Sequence, residues 1–378
     1  MKVAFFQPYL ANWRIEFLEY FTEKFKSGEV VVYDGGFGGK NDTKSVSGNS
    51  AKFKFKKLVS LSPVFKFKGQ DYPFYFSPFL FFNLLKDKPD VIITEGEINF
   101  INNISIFIYC KFFNKKYVWW SLGKVRTRKK NIINKILDPI IEFLLNNACC
   151  VMARNTLAKK YYVNDKDFDD CRVIVAPNSM NHHKENDVNI ERRLELKEIK
   201  NESIIMLYVG ALTNLKRPKD LLFSIESLLK IDPSIDLQLW FVGDGPEREK
   251  LEQLTQSLNL SKNVKFFGKV FDGVGAYFEL SDFVVVPGLG GLVINHAMIY
   301  GKPVISRLAD GTELDLIEDG LTGYLVDGYE IDKLVEKISL MLNSDLATMS
   351  ENCLRKVRDQ WNIDIMYDRT LQCIDFKS

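Results

Sequence analysis

Residues 287–303 read P-G-L-G-G-L-V-I-N-H-A-M-I-Y-G-K-P, and they follow the run Ser281-Asp282-Phe283-Val284-Val285-Val286. That run has the β-branched and aromatic composition of a strand buried on both faces, as in a parallel sheet. Pro287 ends it, a loop from Gly288 to Gly291 follows, and the apolar residues from Leu292 to Tyr300 fit one helix closed by Gly301 and Pro303. A strand, a glycine loop and a helix start expose several backbone N–H groups together, with the positive end of the helix dipole behind them. Such a place binds anions, most simply a phosphate. The same glycines also suit plain close packing of a helix on a sheet. No strand is followed by G-x-G-x-x-G, so a nicotinamide dinucleotide fingerprint is not supported.

Outward from this stretch the strand-helix rhythm repeats. Strands are expected at Ile204–Val209, Leu237–Val242, Val264–Phe267 and Pro303–Ser306, with helices at Lys219–Ile231 and, behind Gly243-Asp244-Gly245-Pro246, at Glu247–Leu258. In the first half, strands are expected at Lys2–Phe6, Glu29–Tyr33, Val91–Thr94, Lys116–Trp120, Ala148–Ala153 and Arg172–Ala176. The polar stretch after Pro177-Asn178-Ser179, to about Lys200, reads as the hinge. Alternation twice over predicts an α/β chain of two Rossmann-like, doubly wound domains facing one another across a cleft. The expected division is 1–184, 185–360 and a last helix, 361–378, crossing back to the first domain.

In an open sheet of this kind, ligands bind beyond the carboxyl ends of the strands. In the first half that edge holds Gln7-Pro8-Tyr9 through Asn12 and Arg14, then Glu95-Gly96-Glu97, then Ser121 through Lys124 and Arg126. Tyr9, Asn12, Arg14, Glu95, Ser121 and Lys124 are therefore candidates to hold a polar ligand.

The chain has 378 residues and a net charge of +2, but residues 1–184 hold 29 Lys/Arg against 17 Asp/Glu, while 185–378 hold 22 against 32. One half is thus at +12 and the other at −10, a split that suits two domains with different partners. Six cysteines and three histidines show no metal-ligand spacing, so reduced, mostly buried thiols and no metal site are expected. Met1 leads straight into a strand, without the pattern of a signal peptide, and no charge-free apolar run is long enough to cross a bilayer. A soluble, cytoplasmic chain is the expectation.

Residues 52–85 interleave Lys52, Lys54, Lys56, Lys57, Lys66 and Lys68 with Phe53, Phe55, Phe65 and Phe67, then continue in an aromatic run to Leu85. The pattern suits an anionic membrane surface or single-stranded nucleic acid. It equally suits a half-buried hairpin with snorkelling lysines.

The ordered motifs Val209-Gly210 through Lys216-Arg217-Pro218, Gly243-Asp244-Gly245-Pro246, Val264–Gly268, Asp282–Met298, Gly301-Lys302-Pro303-Val304-Ile305 and Asp319-Gly320-Leu321-Thr322-Gly323 resemble the retaining family 4 glycosyltransferases of the GT-B fold. The likeness is strongest over about 170–360, and the Gln7–Arg14 opening is similar to that of bacterial polysaccharide glycosyltransferases. The resemblance implies sugar transfer from a nucleotide-sugar, with retention and no obligatory metal or other cofactor. It implies donor binding by Gly210, Asp244, the amides of Gly290, Gly291 and Leu292, and Glu313, with Lys216 as the catalytic cation and Arg217 as its helper. Four family positions differ here: Ala211 stands for an arginine, Gly288 and His296 stand for two glutamates eight residues apart, and Ser121 and Leu122 stand where the family's first domain carries a histidine. A histidine can still share the second glutamate's task on the ribose hydroxyls.

The expected protein is a peripheral enzyme on the cytoplasmic face of the inner membrane. It would use a UDP- or GDP-sugar and a lipid-linked or glycan acceptor for a surface polysaccharide, lipopolysaccharide or capsule, with no nucleic-acid partner. The alternative is a non-catalytic GT-B partner that binds nucleotide-sugar and supports another transferase.

Overall fold

The structure, a computed structural model, describes residues 1–36, 52–61, 64–67, 70–73, 75–123, 132–182, 189–270 and 273–376. It forms two compact units, one built from the chain up to Met180 together with Ile363–Ser378, the other from Asn181–Asn362.

The strands of the first unit are β1 (Lys2–Gln7), β2 (Glu29–Asp34), β3 (Lys54–Lys57), β4 (Val64–Phe67), β5 (Gln70–Pro73), β6 (Val91–Glu95), β7 (Lys116–Ser121), β8 (Cys150–Ala153) and β9 (Val173–Val175). Seven of them form one parallel sheet in the order β3-β2-β1-β6-β7-β8-β9, while β4 and β5 pair as a separate antiparallel hairpin. The helices are α1 (Asn12–Lys24), α2 (Leu80–Asp87), α3 (Phe100–Phe113), α4 (Ile132–Asn146) and α5 (Thr156–Lys160). Alternate residues of β1 serve two cores: Val3 and Phe5 pack with Phe17 and Phe21 of α1, whereas Ala4 and Phe6 pack with α2, α3 and α4. Both faces are thus covered, which is why the strands read as continuous apolar runs rather than alternating ones.

In the second unit the strands are β10 (Ile204–Val209), β11 (Leu237–Val242), β12 (Val264–Gly268), β13 (Phe283–Val286), β14 (Val304–Arg307) and β15 (Gly323–Val326), all parallel in the order β12-β11-β10-β13-β14-β15. Its helices are α6 (Ile190–Lys200), α7 (Lys219–Ile231), α8 (Arg248–Ser257), α9 (Gly275–Leu280), α10 (Gly291–Ile299), α11 (Thr312–Leu316), α12 (Ile331–Leu342) and α13 (Leu346–Gln360). Residues 190–200, read as hinge, are therefore a helix. Asn189 caps it by accepting from Arg192 N–H, and Leu196 anchors it in the core beside Tyr277. One buried leucine in eleven residues leaves little periodicity to read.

The last helix, α14 (Ile363–Asp375), belongs to the first unit. Ile363, Met366, Cys373 and Ile374 are buried in the α1 face of the sheet, and Lys116 Nζ donates to the carbonyls of Ile374 and Phe376 at 3.0 and 3.1 Å. Each large apolar side chain so buried is worth about 1.5–3 kcal/mol.

The described part of the lysine and phenylalanine alternation, residues 52–57, lies on and beside an edge strand. β3 is an edge strand parallel to β2; Phe53 is in the core, Lys52 pairs with Glu23, and Lys54 and Lys56 pair with the buried Asp87. The side chains of Phe65, Lys66, Phe67 and Lys68 lie outside the described residues. Five of the six cysteines are buried, Cys171 is exposed, and none is paired.

Candidate functional site

Each sheet reverses its strand order once, between β1 and β6 in the first unit and between β10 and β13 in the second. The loops leaving these strands diverge to opposite faces and open a crevice at the carboxyl edge. Both sets of sequence candidates lie at such places.

In the second unit, Lys216 closes a short 3-10 turn, Asn214–Lys216, after β10. Its Nζ donates to Leu289 O at 2.9 Å, in the loop after β13. A methyl group built on Gly210 would stand 3.7 Å from that nitrogen, and one on Gly290 3.9 Å. Two glycines therefore flank the ammonium where any other residue would cover it. Burial pushes the Lys216 pKa down, against the field of Asp310. The result is a desolvated cation in a niche walled by backbone.

The start of α10 differs from expectation. Gly291 N–H donates to Asp310 Oδ2 at 3.3 Å, and Thr312 N–H to Asp310 Oδ1 at 3.0 Å. A carboxylate of the chain itself thus sits at the helix N-terminus where a phosphate was expected. A Cβ on Gly291 would come within 2.7 Å of Thr312 Oγ1 and 2.8 Å of Asp310 Oδ1, so the glycine admits this contact. Leu292 follows, half-buried.

Gly288 is buried, and a Cβ there would stand 2.6 Å from Leu215 O and 2.8 Å from the Lys216 carbonyl carbon. It packs beneath the Leu215–Lys216 backbone rather than lining the niche, and a glutamate there has no room. His296 lies in the last turn of α10, its ring 4.5 Å from that of Phe278 and 5.6 Å from Tyr300. The Glu313 carboxylate turns inward, accepting from Ala309 N–H at 2.7 Å and from Gly311 N–H at 3.0 and 3.1 Å. Burial raises its pKa, and it braces the loop that carries Asp310.

Arg217 takes a left-handed conformation (φ 53°), stacks 4.6 Å from the Tyr329 ring and donates from Nε to Asp220 at 2.8 Å. Asp220 is buried and also pairs with the buried Arg307, whose guanidinium reaches the carbonyls of Pro287, Tyr329 and Glu330 at 3.2–3.3 Å. These bonds hold the loop after β13 in place; nothing local in sequence marks Asp220 or Arg307. Gly210 (φ 154°) and Gly243 (φ 140°) bring the ends of β10 and β11 together, since a Cβ on Gly243 would meet Gly210 O at 1.9 Å. Asp244, next in line, is exposed; its Oδ1 accepts from Gly245 N–H at 2.8 Å.

In the first unit, Arg14 is buried at the first turn of α1, its guanidinium carbon 3.6 Å from the centre of the Trp120 ring. Arg14 Nη2 donates to Glu95 Oε1 at 3.2 Å, and Arg154 donates to the same oxygen. Burial first, then Arg154, holds the Arg14 pKa well below the usual arginine range. Ser121 belongs to a neighbouring cluster: its Oγ donates to Glu97 Oε2 at 2.7 Å, and Tyr162 bonds the other Glu97 oxygen. Tyr9 is exposed beside Arg14. The Asn12 side chain and Lys124 lie outside the described residues. Arg154, which follows β8 directly, was missed, although the edge rule that selected Glu95 and Ser121 would have found it. Among the described residues no group of His, Cys, Asp and Glu is placed to hold a metal, and no helix is long and apolar enough to cross a membrane.

Residues 190–360 match the family described as Glycosyl transferases group 1. The D-inositol 3-phosphate glycosyltransferase of Corynebacterium diphtheriae is 29% identical over 150 residues, 37% of this chain and 35% of that protein. The N-acetyl-alpha-D-glucosaminyl L-malate synthase of Bacillus anthracis is 29% identical over 162 residues, 42% of this chain and 41% of that protein. The chain thus matches well under half the length of these relatives. Anabaena Alr3699/HepE, solved in complex with UDP, superposes with a TM-score of 0.77 at 16% identity, covering 99% of both chains. Residues 190–360 of the second unit are thus similar to the Glycosyl transferases group 1 family, in a chain whose two Rossmann-like units share the fold of GT-B proteins.

Proposed function

We propose that the chain is a retaining glycosyltransferase that moves a sugar from a UDP- or GDP-sugar to a lipid-linked or glycan acceptor in cell-surface glycan synthesis. The observation that carries this reading is the Lys216 ammonium, desolvated and flanked by Gly210 and Gly290 at the end of β10. As the sugar leaves, its diphosphate gains negative charge, and a cation and amides already aimed at it lower the barrier without a metal. Arriving phosphate oxygens compete with Asp310 for Lys216 and for the Gly291 amide, so the donor displaces one internal anion with another. Arg217, held by Asp220, adds fixed positive charge. UDP in the Anabaena neighbour favours a uridine donor.

The test is calorimetry with UDP and GDP, followed by turnover of nucleotide-sugars with a lipid-linked acceptor. Lys216→Ala should lower kcat/KM about 10²–10³-fold. The sealed Gly288, and an alanine at position 211 where the resembled family has arginine, favour a second reading, a non-catalytic binder of nucleotide-sugar. Tight UDP binding with no turnover of any donor would select it.

Peripheral membrane attachment belongs to the same proposal, on a surface other than residues 52–68. Ile104, Ile108 and Phe112 form an exposed stripe along α3, joined by exposed Phe82 of α2 and Phe143 of α4. Phe112 is 79% exposed. Lys86, Lys88 and Lys111 are exposed on or beside these helices, and the acid of α2, Asp87, is buried. Apolar residues among cations suit an anionic lipid surface, each cation adding about 1 kcal/mol. Vesicles containing phosphatidylglycerol should sediment the protein, and Phe82→Ser with Phe112→Ser should abolish it; equal binding to neutral vesicles would refute the assignment.

A further inference from the structure

We infer that Arg14 and Arg154 form an oxyanion subsite in the first unit, for a phosphate or carboxylate group carried by the acceptor. The inference rests on the sugar-transfer reading and deepens it, by naming the chemical class of the second substrate.

A cavity of about 50 Å³ opens at the switch point of the first sheet, lined by Gln7, Tyr9, Ala11, Arg14, Glu95 and Arg154. A single water needs roughly 10–15 Å³ of such space, so there is room for a group of several heavy atoms. Three strands supply the charges: Arg14 follows β1, Glu95 ends β6 and Arg154 follows β8. Both guanidiniums reach Glu95 Oε1 and lie over the same Trp120 ring, their carbons 3.6 and 5.5 Å from its centre. Two cations thus converge on one carboxylate oxygen in a desolvated place.

Arg14 is 2% exposed and the Arg154 side chain 15%. Arg154 Nε and Trp120 Nε1 are buried donors with no hydrogen-bond partner among the described residues. A buried donor without an acceptor is costly, and arginine cannot shed its proton to escape the cost. An oxyanion in the cavity would balance the charge and accept from the guanidinium fork, whose geometry suits phosphate and carboxylate oxygens. Trp120 fixes the guanidinium plane in advance. The excess of basic residues over residues 1–184 acts in the same direction at longer range.

The test titrates the full chain at low salt with inorganic phosphate, with acetate and, separately, with UDP, by calorimetry and thermal shift. Phosphate is expected to bind and to raise the Tm. Arg154→Gln should weaken phosphate at least tenfold and leave UDP affinity unchanged. Should that variant fail to fold, Glu95→Gln decides: freed of the internal competitor, the arginines should bind phosphate more tightly than in the parent. Acetate matching phosphate would assign the subsite to carboxylates, and phosphate alone to phosphate esters. If neither anion binds the parent, or if both bind it and the variants equally, the subsite is overturned. Intact UDP binding in that result would leave the sugar-transfer reading standing.

Discussion

Both units set two arginines around one carboxylate near the break in their strand order, and the two triads are used differently. In the second unit, Arg217 and Arg307 share Asp220, and Arg307 also spends its guanidinium on the carbonyls of Pro287, Tyr329 and Glu330. That triad is tied to backbone carbonyls, with only Arg307 Nε of the Arg307 guanidinium left over, and serves as the frame of a loop. In the first unit, Arg14 and Arg154 share Glu95 at the wall of a cavity, with the buried donors Arg154 Nε and Trp120 Nε1 left over. The same three charges make a brace when backbone carbonyls occupy the guanidinium ends, and a candidate ligand site when a cavity takes the place of the carbonyls. In the proposed donor niche of the second unit the walls are backbone instead, at Gly210, Gly290 and the start of α10, with Lys216 and Asp310 the charges placed there among the described residues.

Breaking the brace should have the largest effect. Asp220→Ala strands a buried guanidinium and should cost about 3–5 kcal/mol, seen as a large fall in Tm that phosphate does not reverse. Glu95→Gln should also lower the Tm in chloride, but phosphate should restore much of it. Equal behaviour of the two variants would erase the distinction between brace and site.

Next comes the pH dependence of donor binding. Burial lowers the Lys216 pKa below the ordinary lysine value of 10.5, and a bound diphosphate raises it again. Protons are therefore taken up on binding in alkaline solution, and UDP affinity should fall as pH rises through the pKa of the free protein, by up to about tenfold per pH unit. The sign for stability is the reverse: a lysine with a depressed folded pKa gives up its proton more readily in the native state, so its unfavourable contribution to stability is relieved as pH rises from the folded to the unfolded pKa. Lys216→Met should flatten the affinity profile; a slope that survives the substitution would move the cation elsewhere.

Gly288→Glu sharpens the contrast at the backbone-walled niche. The added side chain would meet the Leu215–Lys216 backbone, so instead of a gain in donor contact the expected result is a loss of about 1–3 kcal/mol in stability. Improved turnover at unchanged Tm would refute the packing role. The smallest effect is expected from His296→Ala. Its ring is engaged by Phe278 and Tyr300, and a single neutral hydrogen bond to a ribose is worth about 1 kcal/mol, roughly a fivefold change in UDP affinity. A hundredfold loss would make side chains, rather than backbone, the main donor contact.

Apart from β3 and β15, the strands of both sheets were legible because they are buried on both faces and so read as unbroken runs of Val, Ile, Phe and Trp. The loop at Gly288–Gly291 and the helix after it were legible for the same local reasons. β3 and α6 were not: an edge strand built of K-F-K-K and a helix anchored by Leu196 alone carry too few buried residues to show a period. Lys216 could be found from its motif, but Asp310 at the start of α10 could not, because its place depends on the turn after β14. Arg154 stood in plain sight after a strand, yet its meaning required the partners that β1 and β6 bring to it.

From sequence alone came the two-fold βα alternation, the glycine-bounded helix start and the opposed charges of the two halves, since each depends on residues close together in the chain. Only the tertiary structure decided which charges are consumed inside the protein and which face a cavity. Ion pairing and desolvation depend on groups that separate strands deliver to one point, and a pair such as Arg14 and Arg154 becomes informative only when Trp120 and Glu95 are seen to hold both.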